Sequence, residues 1–173
     1  MKKNEFKTIT LVYSKSFILS FYILSTIIFT LLLNHQQIIV GTVVNSLLFF
    51  TALHIDKKYH LPIAIFPSIV VVFQGLLFGK LTIFLIYFLP FIWIGNYILM
   101  LTVQKFSHYK VLRFFLAAVL KFLFLFLIAN FYVNFKIVPK IFLQTMGVFQ
   151  LITALLGAGV YNLVNKIIKV KND

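Results

Sequence analysis

The stretch AAVLKFLFLFLIANF, residues 117–131, holds one lysine in a run otherwise apolar up to its asparagine. It belongs to an apolar segment at roughly 112–135. Five comparable segments recur at roughly 16–33, 38–54, 61–79, 81–104 and 140–165. A helix that crosses the hydrocarbon core of a bilayer needs about 20 mostly apolar residues. Six such runs leave no room for a separate soluble domain. Residues 1–173 therefore read as one integral membrane domain, an all-α bundle of six transmembrane helices.

Composition agrees. Apolar residues make up 62% of the chain and charged residues 11%, against about 45–50% and about 25% in a soluble domain. A globule of this size still exposes much of its surface and has nowhere to hide the excess. Lipid is the solvent that fits. The first run, FILSFYILSTIIFTLLL, lacks an A-x-A-like exit and is long enough to stay as an anchor, so it is not read as a signal peptide.

The formal charge of +13 does not point to nucleic acid. The basic residues fall between apolar runs, and neither an arginine-rich arm nor an RNP-like aromatic motif is present. Their distribution instead orients the bundle. Lys2, Lys3, Lys7, Lys15, Lys57, Lys58, Lys105, Lys110, Arg113, Lys166, Lys169 and Lys171 all fall on one side, against Lys80, Lys136 and Lys140 on the other. The positive-inside rule puts the larger group, and both chain ends, in the cytoplasm. Tyr13, Tyr59 and Tyr109 sit at the inner boundary as an aromatic belt would, whereas Trp93 falls inside the fourth span and is expected to pack against protein.

Chemistry is sparse. The chain has no cysteine, which excludes disulfides, thiolate nucleophiles and cysteine-ligated metal or iron–sulfur centres. His35, His54, His60 and His108 form no HxxxH or HxH pair. The acids Glu5, Asp56 and Asp173 lie outside the spans. His54 and Asp56 are the nearest thing to a catalytic pair, but a two-residue offset turns them apart on a helix. No enzyme activity, metal site or cofactor is expected.

Polar groups inside hydrocarbon are costly and tend to face the bundle interior. At about 1.5 Å of rise per residue, Lys121 on the fifth span and Asn96 on the fourth share one depth. Three readings of Lys121 stand: it snorkels to the headgroups along its own stem, it forms an intramembrane polar pair with Asn96, or it has a direct functional role. Asn45, Gln74, Asn130, Gln144 and Gln150, from four spans, map to the outer half or the midplane, with Thr153 one turn below Gln150. Neutral amides both donate and accept, which suits a small polar organic ligand, so these five are candidate substrate-binding residues. Interhelical cross-linking is the alternative role for each. Pro62, Pro67 and Pro90 interrupt helices and free backbone carbonyls, as a cavity would allow. The pairs Gly75/Gly79, Ala154/Ala158 and Ser16/Ser20 are small-xxx-small steps that let helices approach closely.

The segments GTVVNSLLF, FPSIVVVFQGLLFG, LPFIWIGNYILML, LKFLFLFL and FQLITALLGAG, in that order between about residues 40 and 160, resemble a family of small uncharacterised bacterial membrane proteins often labelled "iron hydrogenase". IGN and LKFLFLF carry most of that likeness. Hydrogenase chemistry is not expected, because its clusters need cysteine ligands. In size and topology the chain also resembles the S components of energy-coupling factor transporters. That resemblance implies a multi-pass protein of the bacterial inner membrane that captures a small organic molecule or ion near the outer face. It would dock on a transmembrane coupling protein driven by ATPases. The AxxxA docking motif of those proteins is matched only approximately, by Ser16 and Ser20. A non-catalytic scaffold or assembly subunit without a ligand is the other functional expectation.

Overall fold

The computed structural model describes residues 37–74 and 79–170, and all the regular structure there is helical. The long helices are α1 (Gln37–His54), α2 (His60–Gln74), α3 (Leu85–Lys105), α4 (Leu112–Asn134) and α6 (Val148–Val170). A four-residue helix α5 (Phe142–Thr145) precedes α6, and short 3-10 turns at Lys57–Tyr59 and Gly79–Phe84 lead into α2 and α3. Helix is what these sequences must form in lipid, since it satisfies every backbone group within the segment.

Among the described residues four stretches are long and apolar enough to cross a membrane: Gln37–His54, Leu81–Lys105, Leu112–Asn134 and Phe142–Ile167. They match the second, fourth, fifth and sixth expected spans. The expected third span is helical over His60–Gln74. The run at 16–33 and the Ser16/Ser20 step lie outside the described residues.

Helix α4 shows how the bundle sorts its surfaces. Leu112, Phe115, Leu120, Leu123, Leu127 and Phe131 are exposed along one stripe, while Phe114, Ala117, Ala118, Lys121, Leu125 and Ala129 are buried along the other. Three of the buried six are alanines, small residues that let helices approach closely where lipid supplies the apolar solvent. Lys121 is on the packed stripe.

Connections are short. Helix α3 packs on α4 and on α2, and α1 packs along α6. Between α4 and α5 the chain reverses at Lys136, whose φ of 57° is left-handed. Ile137 N–H donates to Tyr132 O at 2.9 Å and Lys136 N–H to Val133 O at 3.0 Å, the paired bonds of a Schellman motif.

The α1–α6 contact is the tightest. A Cβ placed on Gly157 would lie 2.8 Å from Asn45 Cβ, 2.8 Å from Ser46 N and 2.9 Å from Thr42 O. Ala154 and Ala158, the small-xxx-small step of the last span, are both buried in the same core. The glycine between them lets the two backbones touch.

Candidate functional site

Two apolar cores form among the described residues. One gathers Leu48, Ala64, Leu99, Ala118 and Ala154, toward the end that carries Lys57 and Arg113. The other gathers Val40, Val71, Phe88, Leu125 and Met146, toward the end that carries Lys136. Each of the five long helices described contributes to the seam between them and places a buried polar side chain there. These are Asn45 on α1, Ser68 on α2, Asn96 on α3, Lys121 on α4 and Thr153 on α6. All five line one cavity of about 90 Å³.

Lys121 is 2% exposed and Asn45 1%. Lys121 Nζ donates to Asn45 Oδ1 at 2.7 Å. Asn45 Nδ2 in turn donates to Thr153 Oγ1 at 3.1 Å, and Thr153 Oγ1 donates to Gln150 O at 3.2 Å. The chain runs from α4 through α1 to α6. Gly41, one turn before Asn45, keeps it compact, because a Cβ there would meet Thr153 Cγ2 at 2.8 Å.

The lysine and Asn96 share a depth and a cavity, but not a hydrogen bond. Asn96 Nδ2 donates to Ala64 O on α2 at 2.8 Å, and Asn45 takes the lysine. Depth along a helix sorts residues into a layer, yet it does not say which member of the layer faces which. Trp93, expected to pack on protein, donates its indole N–H to Ser68 Oγ at 2.7 Å, and Ser68 Oγ donates to Ile65 O at 2.9 Å.

Of the amides expected to bind substrate, Asn45 and Gln150 line the cavity. Asn130 and Gln144 do not. Both are exposed. Nine residues at about 100° each carry Asn130 to the face of α4 opposite Lys121. At α5 the neighbouring Thr145 takes the buried position that Gln144 lacks. The side chain of Gln74 lies outside the described residues.

Two further polar residues line the space, Gln37 and Ser68. Ser68 was legible in principle, since its place in the third span puts it level with Asn96. Gln37 lies at the very start of α1, where a polar residue signals nothing unusual. Gln37 Nε2 and Gln150 Nε2 both donate to Thr145 O, at 3.3 and 3.4 Å. From Gln37 to Asn45 the cavity follows α1 for about 12 Å, at 1.5 Å per residue. Val40, Val71, Leu85, Ile92 and Met146 supply its apolar wall, and Pro67 also borders it. Pro67 has no N–H to offer the preceding turn.

Chemically the seam is, among the described residues, a row of donors and acceptors with one amine and no carboxylate. Among the described residues no group of three histidine, aspartate or glutamate side chains comes together. Comparison of the chain with protein-family models, curated proteins and solved structures returns no match.

Proposed function

We propose that this chain is a multi-pass protein of the bacterial cytoplasmic membrane, with six spans and both ends inside, that captures a small solute within its bundle. In this role it acts as an S-component-like subunit, handing its cargo to a transmembrane coupling protein and the ATPases that drive it. One observation carries the reading: five helices each bring a buried polar residue to a single cavity. Amides used only to tie pairs of helices together need not converge on shared space.

The size of the cavity limits the cargo. About 90 Å³ is well below the roughly 300–1,000 Å³ of sites for drug-sized ligands, so the solute has only a few heavy atoms. A scaffold subunit would need no such space.

The test is binding of a charge-matched panel of small solutes to the purified full chain in lipid nanodiscs, followed by calorimetry. Saturable binding of one class supports capture. Absence of binding across the panel, with the protein folded, favours the scaffold role. Co-purification of ATPases from the native membrane supports the coupled-uptake part, and a preparation free of them argues against it.

A further inference from the structure

We infer that the cavity holds a short-chain monocarboxylate, its carboxylate against Lys121 Nζ and its alkyl tail along the apolar wall. This rests on the capture reading above and narrows it to one class of solute.

The chemistry follows from what Lys121 meets. An amine has three donor positions when protonated, and the hydrogen bond to Asn45 Oδ1 uses one. The side chain lines the cavity while being 2% exposed. The three acids of the chain, Glu5, Asp56 and Asp173, all fall outside its apolar runs, so the spans contain no carboxylate to neutralise it. A buried charge without a partner is strongly unfavourable, and a paired, hydrogen-bonded one is tolerated. An anion that enters from solution supplies what the sequence omits.

The remaining lining selects among anions. Asn45 Nδ2 already donates to Thr153 Oγ1 and Asn96 Nδ2 to Ala64 O, and both amides are neutral. The charged end of the ligand therefore belongs at Lys121. From there Ile92, Val71, Leu85 and Met146 offer only apolar side chains, which favour an alkyl tail over a hydrated inorganic ion. The small volume keeps that tail short.

The experiment titrates the full chain in nanodiscs with acetate, propionate and butyrate, at constant ionic strength set by sodium sulfate. Propionamide, propylammonium and chloride are run alongside. Trp93, the lone tryptophan and the donor to cavity-lining Ser68, provides the fluorescence signal, and calorimetry provides the heat. The expected result is saturable binding of at least one carboxylate, with propionamide weaker by about tenfold or more, the scale separating a charge-assisted hydrogen bond from a neutral one. Two variants are expected to lose it: Lys121→Met, which removes the amine, and Asn45→Asp, which gives the amine an internal carboxylate. If one of them does not fold, the other still decides. Equal or tighter binding of propionamide or propylammonium overturns the inference while leaving solute capture standing. So does carboxylate binding that both variants retain. Chloride binding as tightly as the carboxylates overturns the organic assignment. No binding of any solute overturns the inference and the capture reading together.

Discussion

Lys121 and Asn45, 76 positions apart in the chain, meet at 2.7 Å inside the bundle, and the asparagine passes the interaction on to Thr153. The helices that carry them, α4 and α1, are bridged by the four-carbon stem of the lysine. Removing the amine leaves Asn45 Oδ1 buried without a donor, which costs about 1–3 kcal/mol. Lys121→Met and Asn45→Leu are each expected to lower stability by about that amount. The double variant should fall short of the sum by roughly 0.5–2 kcal/mol, since the bond is lost only once. Unfolding in mixed micelles measures the cycle, and strict additivity would mean the two side chains do not interact.

Gly157 and Gly159 make a matched pair of tests on one helix. At Gly157 a methyl group meets Asn45 Cβ and the backbone of α1 within 3 Å, whereas at Gly159 nothing lies within 4 Å. Gly157→Ala is expected to force α1 and α6 apart and cost about 1–3 kcal/mol. Gly159→Ala should be neutral or gain up to about 1 kcal/mol from helix propensity. Thermal unfolding in detergent decides. A Gly157→Ala variant as stable as Gly159→Ala would contradict the close α1–α6 approach.

Lys136 occupies a left-handed turn that suits glycine, at φ 57°. A side chain there costs about 1–2 kcal/mol relative to right-handed backbone, and glycine is free of that cost. Lys136→Gly is expected to stabilise the α4–α5 turn by about 0.5–1 kcal/mol, and the β-branched Lys136→Val to destabilise it. The measurement is the unfolding midpoint of the three proteins, and the order Gly above Lys above Val is the expected result.

Trp93 gives a spectroscopic check on α2–α3 packing. Its indole N–H donates to Ser68 Oγ at 2.7 Å, and half-buried indoles normally keep such a partner. Ser68→Ala should move the emission maximum to shorter wavelength and cost about 1 kcal/mol. An emission spectrum unchanged by the substitution would show the bond to be absent in lipid.

How much of this was legible in the sequence depends on the kind of information each feature carries. The helices at 37–54, 85–105, 112–134 and 148–170 follow from run length and apolarity, because lipid leaves the backbone little else to form. Residues that share a depth follow from the rise per residue, and so the layer containing Lys121 and Asn96 could be found. The azimuth could not. Whether Lys121 faces Asn96 or Asn45 depends on how α1, α3, α4 and α6 pack around it, and that is set by small residues such as Gly41 and Gly157 on other helices. Asn130 shows the same limit from the other side. Polarity marked it as inward-facing, but it sits near the end of α4 on the exposed face.

The most direct measurement is solid-state NMR of the full chain in bilayers, with lysine Nζ labelled by nitrogen-15 and asparagine Cγ by carbon-13. A dipolar contact from Lys121 Nζ to Asn45 Cγ, absent in Asn45→Leu, is the expected result. A Lys121 signal that correlates instead with lipid phosphates or mobile water would place the amine at the headgroups, and the polar seam would lose its centre.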